Sequence, residues 1–270
     1  MPLGEKLFFM GRAAAAIKKE GQMKVVGLVS GGKDSCYNLM LCEKYGHEIV
    51  CLANLYPPDE CTQEMDSYMY QCVAHNALQV YGEACGLPLY RRPIQGRPIG
   101  TGAFYEETAN DEVEDLYELL AFIKQKHPEI EAVSSGAILS SYQKNRIENV
   151  CRRLNLISLT YLWNTDQASL LDEIISSGIE AVVVKVAALG LSAKHLGKTL
   201  IEMKDLLLHL SSRYGVHICG EGGEYETLVT DCPFFKNRIV LDETSVVEHS
   251  ANDFAPVAYL SLTKFHLENK

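Results

Sequence analysis

The segment Ser30–Ser35 reads Ser-Gly-Gly-Lys-Asp-Ser and joins glycines, hydroxyls and a lysine in one short stretch. An apolar run precedes it at 24–29, and a helix-like run follows at 36–42. Adjacent glycines let a backbone approach a ligand closely, and a helix N-terminus offers free N–H groups to an anion. The segment therefore predicts a phosphate-binding turn between a strand and a helix, formed by Ser30, Gly31, Gly32, Lys33, Asp34 and Ser35.

A Walker A loop is one alternative for this turn. Gly27, Gly32 and Lys33 fit G-x-x-x-x-G-K, but Asp34 stands where a Ser or Thr hydroxyl would hold Mg²⁺. Gly27 also falls inside the predicted strand. The Ser-Gly-Gly-x-Asp-Ser pattern instead closely resembles the PP-loop of ATP pyrophosphatases, which cleave ATP between the α and β phosphates. An ordinary strand-to-helix turn is the remaining alternative.

A second cluster lies at Gly220–Thr227, where three glutamates and three glycines fall within seven residues. Polar, glycine-rich loops at strand ends often carry function. The carboxylates of Glu221, Glu224 and Glu226 could hold Mg²⁺, a cationic substrate group or ammonium. A solvated acidic surface turn is the alternative.

A third stretch, Gly136–Ser140, precedes a predicted helix that carries Tyr142, Gln143 and Arg146. Ser140 and Gln143 have the spacing of a capping box, so both can simply begin the helix. The helix start also follows a strand end, which is where an anion would bind. Arg146 lies one turn beyond Tyr142, so the two side chains could face a site together, with the arginine serving an anion.

These three stretches, together with Asp231-Cys232-Pro233, occur in the order and approximate spacing of the diphthine–ammonia ligase family, which the chain resembles from about Met23 to near its carboxyl end. The resemblance implies that ATP adenylates the carboxylate of diphthine, the modified histidine of elongation factor 2. Pyrophosphate is released, and ammonia then displaces AMP to give diphthamide. ATP would be the co-substrate, with Mg²⁺, and diphthine-bearing elongation factor 2 the protein partner.

The resemblance also suggests roles for residues. Lys33 and Asp34 are expected to be catalytic, Lys33 by neutralising the leaving pyrophosphate and Asp34 by orienting Mg²⁺. Gly136 and Ser140 are expected beside the nucleotide. Glu221 and Glu224 are the other catalytic candidates, because a glutamate could accept a proton from ammonium or face the trimethylammonium group of diphthine. The remaining substrate-binding candidates are Tyr142, Gln143, Arg146, Gly222, Gly223, Tyr225, Glu226 and Thr227.

Composition limits the other functions. A net charge of −10 argues against broad nucleic-acid binding, and no apolar run reaches transmembrane length. Nine scattered cysteines without a C-x-x-C pair suggest reduced thiols and a cytoplasmic location. A PP-loop tRNA-modifying enzyme is the second hypothesis, although it calls for a basic face. A non-catalytic adenine-nucleotide-binding regulator is the third, but it gives no reason for the acidic cluster.

Strands and helices alternate along most of the chain, which predicts an α/β fold with a doubly wound parallel sheet. The resemblance implies that this fold is similar to that of the HUP and PP-loop ATPases. We expect a disordered extension at 1–22, a PP-loop ATP-binding domain at 23–165 and a smaller α/β substrate-binding domain at 166–270. Three further elements are predicted: long helices at 66–84 and 193–214, and a strand at 216–219.

Overall fold

The computed structural model describes residues 21–58, 67, 69–250 and 256–270. The expectation of a disordered extension at 1–22 falls almost entirely outside the described residues. Within them, no helix is both long enough and apolar enough to span a membrane.

The first half of the chain forms a five-stranded parallel sheet in the order β3-β2-β1-β4-β5. The strands are β1 (Lys24–Leu28), β2 (Glu48–Tyr56), β3 (Leu89–Pro93), β4 (Ala132–Ser134) and β5 (Ile157–Leu159). The strand order reverses direction between β1 and β4. In an open α/β sheet that reversal opens a crevice at the carboxyl ends of the strands, where ligands bind. The predicted parallel sheet is confirmed.

The helices of this half follow the predicted alternation. They are α1 (Lys33–Lys44), α2 (Tyr81–Cys85), α3 (Glu112–Lys126) and α4 (Ser141–Arg153). The Asp111 carboxylate accepts the Val113 N–H at the start of α3, and the Ser140 hydroxyl accepts the Gln143 N–H at the start of α4. Gly32 begins α1 without a side-chain cap. The first turn of α1 therefore depends on groups from elsewhere in the fold.

The second half forms a separate four-stranded antiparallel sheet in the order β7-β6-β9-β8. Its elements are α5 (Gln167–Ser176), β6 (Glu180–Val186), α6 (Leu200–Tyr214), β7 (Tyr225–Asp231), β8 (Asn237–Ser250) and β9 (Val257–Asn269). This agrees with the expected smaller α/β unit after the parallel sheet.

Alternate residues of β1 enter two different cores, as the two-residue period of a strand requires. Val25 packs with α1 and the carboxyl-terminal elements, whereas Val26 packs with α3 and α4. The first core runs without a break from the parallel sheet to Val183 on β6 and Leu228 on β7. The two sheets are therefore joined by shared apolar burial as well as by the chain.

The predicted helix at 66–84 is wrong over its described residues before Ala77. The Ser67 hydroxyl accepts the N–H groups of Met69 and Tyr70 and so forms a local turn. Ala74 has a left-handed backbone, with φ of 61°, which a right-handed helix cannot include. Helical structure begins only with a 3₁₀ turn at Ala77–Val80, before α2.

Two predictions near the carboxyl-terminal helix need correction: one is partly right and the other is wrong. The expected helix at 193–214 is interrupted after a 3₁₀ turn at Ala193–His195, because Gly197 adopts φ of 77° before α6 begins. The expected strand at 216–219 forms no ladder. Instead, the N–H groups of His217 and Ile218 are taken by the side chains of Glu224 and Gln167.

Candidate active site

A cavity of about 710 Å³ opens at the carboxyl ends of β1, β2 and β4. Three segments surround it: the PP-loop (Ser30–Ser35), the β4–α4 turn (135–140) and the acidic segment (Gly220–Thr227). Its volume falls in the range of small-molecule sites. The predicted site residues that line it are Ser30, Gly32, Lys33, Asp34, Ser35, Gly136, Ser140, Tyr142, Gln143, Glu221, Gly222, Gly223, Tyr225, Glu226 and Thr227.

The two PP-loop serines hold the turn in shape with their hydroxyls. Ser30 Oγ accepts the Gly32 N–H at 3.3 Å, and Ser35 Oγ donates to the Gly32 carbonyl at 3.0 Å. The two hydroxyls lie 3.3 Å apart. Both line the cavity, so the hydroxyls that shape the turn are also on its ligand side.

Two glycines are required here by geometry. Gly31 has φ of 86°, and a Cβ on it would lie 2.7 Å from Leu78 Cδ1. A Cβ on Gly136 would lie 2.6 Å from the backbone nitrogen of Ser35. Gly136 thus lets the β4–α4 turn pack directly on the PP-loop. Gly31 does not line the cavity, and its carbonyl accepts the Val229 N–H at 2.8 Å.

Lys33 lies where the two halves of the chain meet. Its side chain is buried, and Nζ donates to the Cys219 carbonyl at 2.5 Å and to Asp34 Oδ2 at 2.8 Å. The ammonium also lies 5.0 Å from the centre of the Tyr225 ring. Burial alone would lower the pKa of Lys33, but Asp34, Tyr225 and Cys219 together outweigh burial and raise that pKa, with Asp34 contributing most among them. The group therefore stays cationic at the cavity wall.

Asp34 offers the cavity a second carboxylate oxygen. While Oδ2 accepts from Lys33, Oδ1 is buried and has no hydrogen-bond partner. An unpaired buried carboxylate oxygen is costly unless a ligand reaches it. One carboxylate together with substrate phosphates is an ordinary way to hold Mg²⁺. The donor set therefore fits the magnesium that the sequence predicted.

Thr227 supplies the partner that the start of α1 lacks. Its buried hydroxyl accepts the Lys33 N–H at 3.1 Å. The Thr227 carbonyl accepts from the Gln71 side chain at 3.1 Å. The Tyr81 hydroxyl lies between the carbonyls of Gly31 and Val229, at 3.0 and 2.7 Å, and can donate its one proton to either. Strand β7 is thereby attached to the PP-loop at several points.

The three glutamates of the acidic segment have three different environments. Glu221 Oε1 accepts the N–H groups of residues 138–140 in the β4–α4 turn. Glu224 turns inward and accepts the N–H groups of His217 and Gly222 at 3.0 and 2.8 Å. Glu226 lies on β7, with a carboxylate oxygen 3.5 Å from Lys185 Nζ.

Two predicted positions are corrected by this geometry. Glu224 does not line the cavity, because both its oxygens are used within its own loop. Arg146 also lies away from the lining and is fully buried. Its guanidinium donates to the carbonyls of Tyr142, Gly100 and Gly102. It therefore anchors the loop before α3.

Sequence reasoning missed the apolar end of the cavity and one polar residue beside it. The apolar lining includes Leu28, Ala53, Leu55, Leu116, Leu119 and Ile147. Apolar lining of this kind suits a nucleobase. Asn54 donates from Nδ2 to the Val29 carbonyl at 2.9 Å and accepts from Arg91 at 2.9 Å. Its signal was an asparagine near the end of an otherwise apolar strand.

The parallel sheet, its glycine turn and the cavity above them define an α/β protein with a PP-loop ATPase-like fold. A family model described as the diphthamide synthase N-terminal domain matches residues 23–158, and one described as the C-terminal domain matches residues 166–261. The chain belongs to the diphthamide synthase family.

Relatives agree with this assignment. The chain is similar to diphthine–ammonia ligase of Mus musculus, at 60% identity over 92% of this chain and 94% of that protein. The Homo sapiens protein of the same name is 58% identical over the same shares. Among solved structures, a predicted subunit of tRNA methyltransferase from Methanocaldococcus jannaschii has a TM-score of 0.36 and 14% identity, covering 78% of this chain and 98% of that one. That last likeness is too distant to bear on function.

Proposed function

We propose that this chain is an ATP-dependent amide ligase that converts diphthine on elongation factor 2 to diphthamide. ATP adenylates the diphthine carboxylate, which forms an acyl-adenylate and releases pyrophosphate. Ammonia then attacks the acyl carbon, and AMP leaves. The relatives named diphthine–ammonia ligase, alike over nearly the whole chain, support this assignment.

One structural observation carries the proposal: the PP-loop and the acidic segment line the same cavity. A phosphate-binding turn alone would serve any ATP enzyme. An acidic, aromatic wall opposite it adds a place for a cationic substrate. Adenylation needs the substrate carboxylate beside the α-phosphate of ATP, and a shared cavity provides that proximity.

At the nucleotide end, the hydroxyls of Ser30 and Ser35 and the first turn of α1 would bind phosphate. Lys33 would offset negative charge as pyrophosphate leaves, an interaction that is stronger in the transition state. Magnesium would be held by Asp34 Oδ1, where it would neutralise phosphate charge. The apolar wall that includes Leu116 and Ile147 would receive the adenine.

At the substrate end, Tyr225 and Glu226 are the groups we propose for the trimethylammonium of diphthine. An aromatic face and a carboxylate both attract a quaternary ammonium. Gly222 and Gly223 are exposed at the same wall and leave room for the substrate backbone. Tyr142 and Gln143 form the opposite wall.

The proposal includes the arrangement of the whole chain. We place the ATP-binding domain at 23–165 and the substrate-binding domain at 166–270. The change from parallel to antiparallel pairing between β5 and β6 supports this boundary. We also place the protein in the cytoplasm. The cysteines among the described residues are all free and buried, as expected of a reducing compartment.

The deciding experiment supplies ATP, ammonium and diphthine-bearing elongation factor 2, and follows both AMP and the mass change from acid to amide. AMP and amide should form together, and omitting ammonium should abolish the amide. Elongation factor 2 without diphthine is the matched control. AMP production that requires tRNA and ignores elongation factor 2 would instead support a tRNA-modifying enzyme.

A further inference from the structure

Glu221 reaches out of its own loop and binds a different one. Its Oε1 accepts the N–H groups of Ile138, Leu139 and Ser140 at 3.1, 3.0 and 2.8 Å. These three consecutive donors belong to the β4–α4 turn, at least 81 positions away along the chain. One carboxylate oxygen thus satisfies three backbone groups that precede α4 and that have no helical partner.

The loop that presents Glu221 is braced from within. Glu224 accepts the N–H groups of His217 and Gly222, and His217 Nδ1 accepts the Cys219 N–H at 3.2 Å. The Gly223 N–H donates to the Gly220 carbonyl at 3.1 Å. Because these bonds fix the loop backbone, they also fix the position from which the Glu221 side chain extends.

Rotation of Glu221 toward a ligand would break all three bonds. Ile138 is fully buried and Ser140 is partly buried. A buried N–H group left without a partner destabilises the fold. A carboxylate engaged in this way is well suited to hold two walls together, and poorly suited to turn toward ammonium and take its proton.

We infer that Glu221 is a positioning residue: it fixes the acidic segment against the β4–α4 turn and so sets the width of the substrate end of the cavity. The inference deepens the proposed function and rests on it for its kinetic consequences. It replaces the role of proton acceptor that the sequence left open for this glutamate.

Substitution by glutamine separates the two roles. A glutamine at 221 keeps one oxygen able to accept the three N–H groups, but it cannot act as a base. Positioning predicts that E221Q retains kcat within about threefold and keeps the wild-type pH profile, whereas E221A loses about tenfold or more in kcat/KM. If Glu221 instead acts as a base, both variants should lose the same large factor in kcat/KM, and E221Q should change the pH profile.

Hydrogen exchange tests the contact without any turnover. In the full chain, the amides of residues 138–140 should exchange about tenfold faster in E221A than in the wild type, and much less so in E221Q. Glu248→Gln on exposed β8 is the control and should leave these rates unchanged. Unchanged exchange in E221A would overturn the inference. Since this arm needs no diphthine, it can succeed even if the proposed reaction is wrong.

Discussion

The PP-loop and the acidic segment face each other across one cavity, yet different kinds of hydrogen bond hold each of them in place. In the PP-loop, the turn is closed by bonds between near neighbours such as Ser30, Gly32 and Ser35. In the acidic segment, Glu221 and Thr227 bond to residues from the other half of the chain. The difference teaches that the PP-loop turn is closed by local bonds, whereas the acidic segment is held against the opposite wall of the cavity by bonds between the two halves of the chain.

The largest effect is expected at the point where the two regions touch. Lys33→Ala removes the cation that would offset the charge of pyrophosphate and also the bond to the Cys219 carbonyl. We expect AMP formation to fall about 100-fold or more, the usual scale for losing a charged transition-state contact. The measurement is AMP release with diphthine-bearing elongation factor 2.

Lys44→Ala is the matched control, because Lys44 is exposed at the far end of the same helix. It should keep wild-type turnover. Full AMP formation by the Lys33 variant would show that this lysine is not part of the catalytic machinery. The PP-loop and the acidic segment would then differ only in how their backbones are held.

Thr227 tests whether the acidic segment supports the PP-loop. Thr227→Val preserves side-chain volume but removes the hydroxyl that accepts the Lys33 N–H. The unpaired N–H costs about 1–3 kcal/mol, so we expect a KM for ATP about tenfold higher and a lower melting temperature. Thr227→Ser keeps the hydroxyl and should stay close to the wild type. Equal behaviour of the two variants would show that the contact is dispensable.

The sequence predicted features that neighbouring residues determine, and it did not predict features that depend on contacts between distant residues. The PP-loop was readable because glycines, lysine and hydroxyls within six adjacent positions carry their own geometry. The role of Thr227 was not, because its partner lies 194 positions away. Likewise, nothing within the helix shows that Arg146 contacts the carbonyls of residues 100 and 102. A single sequence displays local backbone preferences, but it does not display which distant groups meet.

A smaller effect distinguishes two glutamates that the sequence could not separate. Glu221 uses one oxygen, whereas Glu224 uses both, one for His217 and the other for Gly222. In Glu224→Gln the amide NH₂ must face one of these N–H groups, so one bond is lost. We expect the free energy of unfolding to fall by about 1 kcal/mol, measured by urea denaturation. A greater loss in E221Q than in E224Q would contradict this assignment of the oxygens.

The smallest effect concerns one thiol in each region. Cys36 lies in α1 just after the PP-loop, and Cys219 lies just before the acidic segment. Burial raises the pKa of Cys219 to about 12 and that of Cys36 well above its usual value, so both thiols are protonated and unreactive at pH 8. Alkylation then requires local opening.

Cys219 sits in a loop held by side-chain acceptors, whereas Cys36 sits in a packed helix, so Cys219 should be alkylated by iodoacetamide first. Peptide mass spectrometry over time measures the order, with urea-unfolded protein as the control in which both react quickly. If Cys36 reacted first, the start of α1 would open locally more often than the loop that holds Cys219.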